Sequence, residues 1–370
     1  MYSAPGDPAS ASLVEMMWFL RPDCISAFEE KEVRESLTRY IEVVEGRKPP
    51  LFKLSKLIRV DPKEDPWEAH EEGLRILREA LESESEPRGN DGRVSLLDLK
   101  AYLSLEIAKS CRFCEWRCGV NRVEGERGVC RVNETRVSSY FIHMGEEPPV
   151  SPSGTIFFSG CNFKCVYCQN WDISQFPESG ESVTPQKLAE VMDDLRKRGV
   201  RNVNLVGGEP TPNMHTIILS LRYASGNFPV IWNSNMYMSE EGMKLLLGVV
   251  DLWLPDFKYW NNECARRLSG VTNYSEIVRR NLSIAYEFPP GEIIVRHLVL
   301  PNHLSCCTKP ILEWIAAHIP RALVNVMDQY RPEYRASEVT EINRRPSPGE
   351  LREALETAER LRLRWRSVSR

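Results

Sequence analysis

The cysteines of this chain are the residues whose number and spacing first point to chemistry. The 370 residues include eleven cysteines, and seven of them lie between Cys111 and Cys168. A secreted disulfide framework would be expected in a shorter chain that carries a signal peptide. Close-spaced cysteines in a larger chain favour metal ligation, so we expect metal centres in this stretch.

The last three of these cysteines, Cys161, Cys165 and Cys168, form a C-x3-C-x2-C loop. Thiolates are the usual ligands of [4Fe–4S] clusters, which normally take four of them. A loop that supplies three would leave one iron open to an external ligand. The alternatives at this point are a three-cysteine zinc site and a coincidence of spacing.

Four further cysteines precede this loop with the spacing C-x2-C-x3-C-x11-C, at Cys111, Cys114, Cys118 and Cys130. Four thiolates can close a tetrahedral zinc site or hold a second, electron-transferring iron–sulfur cluster. The glycines among them suit tight turns around a metal. The spacing therefore predicts a second metal site, either Fe–S or zinc, that is separate from the first.

The elements that must position these residues alternate between strands and helices from about residue 153 onward. Six strand–helix units with buried-type strands predict a parallel sheet. Because a full barrel needs eight units, we expect an α/β fold, a curved and open (β/α)6 barrel. The predicted strands are 155–158, 203–206, 230–232, 250–254, 293–300 and 322–327. The expected segments are a helical N-terminal extension at 1–94 (scaffold or lid), a four-cysteine metal-binding segment at 95–150, and the barrel at 151–370.

Polar residues follow the predicted strands at their carboxyl ends, where such sheets bind ligands. The candidate binding residues are Gly207, Gly208, Glu209, Pro210, Asn233, Ser234, Asn235, Asp256 and Lys258, with Arg296 inside the fifth strand. Turn formation and helix capping are the alternative roles for these residues. The candidate catalytic residues are Tyr330, after the sixth strand, and Cys306 and Cys307, after the fifth. Those two thiols could donate or accept a hydrogen atom, and the alternative is that they are idle buried thiols.

The three-cysteine loop, placed after the first strand and followed by Gly-Gly-Glu-Pro after the second, closely resembles the radical S-adenosylmethionine (SAM) superfamily. The resemblance implies that the open iron binds the amino and carboxylate groups of SAM. One electron from the cluster then cleaves SAM to methionine and a 5′-deoxyadenosyl radical. It also implies that Tyr167 lies against the adenine, that Gly207 to Pro210 receive the amino group, and that Asn233 to Asn235 bind ribose and carboxylate.

Longer segments are similar to a radical SAM family related to pyruvate formate-lyase-activating enzymes. These segments are 111–122, 125–130, 158–171, 254–259, 295–301 and 327–332. The resemblance covers roughly residues 95–365, although many relatives carry a Thr-Pro-rich variant in place of Gly-Gly-Glu-Pro. Activases abstract hydrogen from a glycine of a large partner enzyme. The resemblance therefore implies a protein or peptide substrate and a reductant such as flavodoxin or ferredoxin.

Composition excludes some other classes of function. A formal net charge of −4 and a pI of about 6.0 give no global basic field, so we expect no nucleic-acid partner. No apolar run approaches the roughly 18 residues of a membrane span, and no signal peptide is apparent. We therefore expect a cytoplasmic protein without a membrane partner. A small metabolite or cofactor precursor is the alternative substrate. A non-catalytic Fe–S carrier or zinc-stabilised module is disfavoured, because a carrier has no use for an open iron.

Overall fold

Strands and helices alternate through most of the chain, which a computed structural model describes at residues 13, 15, 17–83, 85 and 93–369. The strands are β1 (Arg59–Val60), β2 (Val94–Ser95), β3 (Arg136–His143), β4 (Ser153–Phe158), β5 (Glu181–Ser182), β6 (Asn202–Gly207), β7 (Val230–Ser234), β8 (Leu252–Pro255), β9 (Ile294–Leu298) and β10 (Leu323–Met327). The α-helices are α1 (Pro22–Ser26), α2 (Lys31–Ser36), α3 (Thr38–Val44), α4 (Leu51–Leu57), α5 (Pro66–Glu82), α6 (Leu96–Lys109), α7 (Trp171–Ser174), α8 (Pro185–Lys197), α9 (Met214–Tyr223), α10 (Glu240–Leu246), α11 (Asn262–Ser269), α12 (Tyr274–Glu287), α13 (Lys309–His318) and α14 (Pro348–Arg360). None of the described helices is both long and apolar enough to cross a membrane.

Six parallel strands form the curved sheet that carries the site. Strands β4, β6, β7 and β8 pair in that order, and β9 pairs with β10. Parallel bridges from Trp253 to Ile293 and from Asp256 to Arg296 join β8 to β9. The sheet stays open, because β4 pairs on its other side with the antiparallel strand β3 and not with β10. This topology confirms the predicted partial (β/α)6 barrel.

Burial on both faces explains why these short segments form strands. All five residues of β7 and all four of β8 are buried, as is typical of parallel strands covered by helices. Capping side chains fix where the covering helices begin. Thr184 accepts the Lys187 N–H at the start of α8, and Ser239 accepts the Gly242 N–H at the start of α10.

The N-terminal helices pack against the amino ends of the barrel strands. The Leu51 N–H donates to Asp251, just before β8, at 2.9 Å. The Arg39 N–H donates to Glu292, just before β9, at 2.6 Å. These contacts lie opposite the carboxyl ends of the strands, where such sheets bind ligands. The role of this segment as scaffold or lid stays a prediction. Parts of the predicted extension lie outside the described residues, namely 1–12, 14, 16, 84 and 86–92.

Three elements near the site were not expected from the sequence. Strand β3 pairs antiparallel with β4 on one side and with the short strand β5 on the other. Helix α11 follows β8 after a short loop. A π-helix, Leu304–Thr308, follows β9 directly before α13. Each of these elements places side chains at the mouth of the barrel or along its open edge.

Candidate active site

The three-cysteine loop begins immediately beyond β4, at the carboxyl end of the sheet. Cys161 and Cys165 are buried and Cys168 is half-buried. The Cys161 sulfur accepts the Phe163 N–H at 3.3 Å. The other two sulfurs lie against hydroxyls from separate elements, Cys165 with Ser269 at 3.0 Å and Cys168 with Ser174 at 3.1 Å. The three thiols are thus held at one place by the loop, α7 and α11.

The end of α11 holds the backbone of this loop. The Lys164 N–H donates to the Ser269 carbonyl at 3.0 Å, and the Val166 N–H donates to the Leu268 carbonyl at 2.9 Å. The Ser269 hydroxyl also bonds to Tyr259 at 2.7 Å. Helix α11 therefore acts as a second wall for the loop.

Tyr167, expected beside the adenine of SAM, is buried within a chain of hydroxyls. Its hydroxyl contacts that of Tyr259, which in turn bonds to Ser269 beside the Cys165 sulfur. Its ring meets the Tyr330 ring edge-on, with centroids 5.7 Å apart. Tyr330 is fully buried and donates its hydroxyl to the Ile342 carbonyl at 2.7 Å. The two tyrosines form a packed aromatic wall beside the cysteine loop.

The electrostatics around the loop fit an anionic metal cluster. Burial raises the pKa of the Cys161 thiol, and it raises that of Cys165 to about 11. Thiols in this setting become thiolates when a metal binds them. The Lys164 ammonium nitrogen is buried without a hydrogen-bond partner. Burial lowers its pKa, while the nearby Cys161 and Cys130 sulfurs act in the opposite direction. A buried, unpaired cation is costly, so bound thiolates would stabilise it.

The Gly-Gly-Glu-Pro turn packs directly on this loop. A Cβ at Gly208 would lie 2.2 Å from the Gly160 carbonyl oxygen, and one at Gly207 would lie 2.1 Å from the Phe158 nitrogen. Only glycine allows so close an approach of two backbones. Pro210, also buried, leads into a short 3-10 helix, Thr211–Asn213. The turn is therefore fixed against the three-cysteine loop.

The Glu209 carboxylate is buried and ties this turn to the end of β7. It accepts the Ser234 hydroxyl at 2.6 Å, the Asn235 N–H at 3.0 Å and the Thr211 hydroxyl at 2.6 Å. Burial raises the pKa of Glu209, and these hydrogen bonds oppose that rise. The carboxylate thus positions two of the residues expected to bind SAM.

Two buried amide nitrogens beside this network have no hydrogen-bond partner. They belong to Asn162, in the cysteine loop, and Asn233, at the end of β7. Asn235 donates to the Asn162 side-chain oxygen at 2.7 Å. Unsatisfied buried donors are uncommon in folded proteins. These two donors, one in the cysteine loop and one at the end of β7, fit a ligand rich in acceptors, such as the carboxylate and ribose of SAM.

The remaining candidate binding residues occupy two positions in the barrel. Lys258 pairs with Asp256 at 2.7 Å, and the Cys165 sulfur helps to raise the pKa of Lys258 against the effect of burial. Arg296 is instead engaged by Glu146 and Glu147, the latter at 2.8 Å. The guanidinium of Arg296 is therefore committed to carboxylates in the loop that precedes β4. Its role in binding SAM stays a prediction.

The candidate catalytic thiols lie in the π-helix after β9. Cys307 is buried, and Cys306 is half-buried with its sulfur 4.0 Å from that of Cys264. Burial raises the pKa of Cys307 above its ordinary value. Their role as hydrogen-atom donors stays a prediction.

Two of the four upstream cysteines contact a buried arginine that sequence reasoning missed. Arg122 is 6% exposed, and it donates to the Cys111 sulfur at 2.8 Å and to the Cys130 sulfur at 2.9 Å. Burial would lower its pKa, but the two sulfurs raise it. A Cβ at Gly128 would lie 2.3 Å from the Cys118 sulfur, so this glycine allows a tight turn around the thiols. The sequence feature that could have indicated this contact is the position of Arg122 among the four cysteines.

The upstream cysteines lie next to the three-cysteine loop. The Trp116 indole donates to the Asn162 carbonyl at 2.9 Å. Two residues of the loop beyond β7 also contact this segment. Met238 forms an antiparallel bridge with Cys114, and the Ser239 hydroxyl donates to the Phe113 carbonyl. The segment is therefore docked at the mouth of the barrel.

Comparison with known proteins follows this geometry. Residues 155–315 match the radical SAM superfamily. "Uncharacterized protein MJ0674" of Methanocaldococcus jannaschii is 46% identical over 338 residues, which cover 88% of this chain and 98% of that one. "Putative glycyl-radical enzyme activating enzyme MJ1227" of the same organism is 33% identical over 88 residues, 24% of this chain and 35% of that one.

Among solved structures, SuiB of Streptococcus suis bound to S-adenosylmethionine is similar to part of this chain. The TM-score is 0.41 at 12% identity, over 57% of this chain, and the chain spans 48% of that structure. SuiB bound to its precursor peptide SuiA gives a TM-score of 0.40, and this chain spans 46% of it. Radical SAM proteins use a [4Fe–4S] cluster and SAM, and those are the cofactors of this protein. The chain belongs to the radical SAM superfamily.

Proposed function

We propose that this enzyme abstracts hydrogen from a protein or peptide, as the activating enzymes that it resembles do. When bound, the cluster and SAM supply the 5′-deoxyadenosyl radical that makes this chemistry accessible. The observation that carries the proposal is the three-thiol loop, with Cys161 and Cys165 buried and Cys168 half-buried, together with the unpaired amide donors of Asn162 in that loop and of Asn233 at the carboxyl end of β7.

In this proposal each residue of the mouth has a defined task. Cys161, Cys165 and Cys168 hold the cluster. Glu209 receives the amino group of SAM and keeps Ser234 and Asn235 in place through its hydrogen bonds. The backbone of the Gly207–Pro210 turn and the Asn233 amide complete the polar side of the pocket. Tyr167 and Tyr330 close the apolar side and exclude water.

A patch of exposed aromatic side chains beside the cysteine loop supports a macromolecular substrate. Trp171 stacks on Tyr334, with centroids 5.6 Å apart and planes 13° apart. Phe176 meets Trp171 edge-on and is 52% exposed. Exposed aromatic clusters of this kind are typical of interaction surfaces. Trp171 follows Cys168 by three residues, so a partner bound here would lie next to the reactive centre.

The substrate class can be tested by fractionating an extract of the source cells by size. Anaerobic reconstituted enzyme receives SAM, dithionite and either the macromolecular or the small-molecule fraction, and 5′-deoxyadenosine is measured above the uncoupled rate. We expect stimulation by the macromolecular fraction that is lost after protease treatment. Stimulation by the small-molecule fraction alone would overturn the proposal in favour of a metabolite or cofactor precursor.

We also propose that the four upstream cysteines hold a second [4Fe–4S] cluster that delivers electrons from a flavodoxin or ferredoxin. A zinc ion bound at about 2.3 Å would hold its thiolates about 3.8 Å apart. In the described part of the chain, neither cysteine group contains three sulfurs that are all within 4.8 Å of one another. The upstream group lies directly before the radical SAM domain at residues 155–315, and this position favours a redox cluster over a structural zinc ion.

The position of the upstream site also supports electron transfer. Trp116, in the upstream segment, contacts the three-cysteine loop at Asn162. Lys164 lies close enough to sulfurs of both cysteine groups for their charges to affect its pKa. Iron, sulfide and zinc should be counted in a variant that lacks Cys161, Cys165 and Cys168. We expect about four irons and no zinc. One zinc with no iron would contradict the proposal and leave the site a structural link.

For the segments of the chain, we propose that residues 1–94 serve as a scaffold, 95–150 as the metal-binding segment and 151–370 as the barrel. The contacts of the N-terminal helices with Asp251 and Glu292 support this assignment, since both lie at the end of the sheet away from the thiols. Limited proteolysis between residues 84 and 92 tests it. Retention of SAM cleavage after the cut would agree with a scaffold whose two parts stay associated.

A further inference from the structure

A third group of potential metal ligands lies outside both cysteine groups. It combines Cys264, in the first turn of α11, with His303 and Cys306, which follow β9. One ligand atom from each residue lies within 4.8 Å of the other two. The two sulfurs are 4.0 Å apart. Cys264 and His303 are 7% and 3% exposed, so these two ligands are buried between α11 and the loop that follows β9.

The hydrogen bond of the histidine leaves one ring nitrogen available to a metal. The Nδ1 atom of His303 lies 2.8 Å from the Pro301 carbonyl oxygen. Since a carbonyl can only accept, Nδ1 carries the proton, and the lone pair of the neutral ring is at Nε2. A backbone carbonyl that fixes the tautomer in this way is the usual support of a metal-binding histidine.

The sulfur spacing fits a single ion. A tetrahedral zinc with Zn–S bonds near 2.3 Å sets two thiolates about 3.8 Å apart, close to the 4.0 Å between Cys264 and Cys306. Two thiolates and an imidazole bind zinc more strongly than they bind calcium or magnesium, which prefer oxygen ligands. Cys307, the next residue, contacts Cys264 but is not part of this group of three ligands.

The local backbone also suits a built site. His303 precedes the π-helix Leu304–Thr308, and Cys306 lies within it. Single π-turns are rare and occur frequently at functional sites. This turn brings Cys306 to the start of α11, forty-two residues away in sequence.

We propose that Cys264, His303 and Cys306 bind one Zn²⁺ ion, distinct from the SAM cluster and from the upstream site, which replaces the hydrogen-atom donor role predicted for Cys306 with a structural one. The ion ties the loop after β9 to the amino end of α11. The other end of α11 holds the three-cysteine loop through Ser269. The zinc would therefore stabilise helix α11, which contacts the three-cysteine loop. This inference is independent of the proposed substrate and of the metal at the upstream cysteines.

The test is a metal count on the anaerobically reconstituted holoenzyme, equilibrated with zinc chloride and passed through a desalting column. Wild type is compared with the Cys264→Ser/Cys306→Ser double variant and with Cys24→Ser, a control at a buried cysteine elsewhere in the fold. We expect the double variant to hold one zinc per chain fewer than wild type and the control, with iron and sulfide unchanged. Because the test compares the zinc content of two proteins, the result does not depend on whether the upstream site also binds zinc.

Equal zinc in wild type and the double variant would overturn the proposal. So would a Cys264–Cys306 disulfide found by mass spectrometry of wild type that carries no zinc at this site. If the double variant loses its iron and fails to fold, His303→Ala decides the question, because it leaves both sulfurs in place. Loss of one zinc from His303→Ala with retained iron supports the site, and full zinc retention refutes it.

Discussion

Replacing Glu209 by glutamine tests how the barrel holds SAM. The change keeps the size of the side chain but leaves one oxygen where there were two. An amide nitrogen would then face the Asn235 N–H, which now donates to the carboxylate at 3.0 Å. A hydrogen bond to a charged group contributes about 1.5–3 kcal/mol. Its loss corresponds to roughly a 10- to 100-fold change in an equilibrium constant.

The predicted result follows from what Glu209 contacts. Glu209→Gln should raise the Kd for SAM by roughly 10- to 100-fold, because the ammonium loses its counter-charge and the segment from Ser234 to Asn235 loses its anchor. Iron content should stay that of wild type, since Glu209 is not a ligand of the cluster. Equilibrium dialysis with labelled SAM measures the affinity, and Glu190→Gln, on the exposed face of α8, is the matched control. An unchanged Kd in Glu209→Gln would refute the role given to this carboxylate.

Three further predictions concern other parts of the molecule. Arg122→Leu removes a buried cation beside two of the upstream cysteines, so the midpoint potential of the cluster proposed there should fall by on the order of 100 mV. An unshifted potential in an EPR-monitored titration would contradict this. Trp171→Ala with Tyr334→Ala should reduce the partner-stimulated formation of 5′-deoxyadenosine while leaving the uncoupled rate unchanged, and equal losses in both rates would argue against a docking surface. Burial raises the pKa of Asp251 to about 7 and that of Glu292 to about 8. The stability that they confer is therefore complete below their unfolded pKa values and is lost as the pH rises through 7 and 8. Asp251→Asn with Glu292→Gln should flatten the fall in Tm between about pH 5 and pH 9, and a parallel fall in the variant would show that other groups are responsible.

The barrel could be predicted because its signals are local in sequence. Apolar strands such as Val230–Ser234 alternate with capped helices, and each strand ends at a polar turn. Strand β3 escaped this reasoning because it is covered on its outer side only by the two-residue strand β5, and its residues alternate weakly between buried and exposed. The π-helix escaped it because its geometry depends on packing against α11 and α13, which no local pattern encodes.

The candidate site divides in the same way. The spacing of the cysteines is local, so both cysteine groups could be recognised in the sequence. The engagement of Arg296 by Glu146 and Glu147 could not, because about 150 residues separate the partners. The same holds for Cys264 and Cys306, which meet only because consecutive strands of the barrel lie side by side. Contacts of this length need the folded topology.

The most direct test of the central claim is the yield of 5′-deoxyadenosine from SAM. Anaerobically reconstituted wild type and the Cys161→Ala/Cys165→Ala/Cys168→Ala variant are incubated with SAM and dithionite, and the product is measured by liquid chromatography and mass spectrometry. We predict that wild type forms 5′-deoxyadenosine and that the variant forms none, while the metal at the upstream cysteines is retained. Equal product from the two proteins would contradict the assignment of the catalytic cluster to these three thiolates.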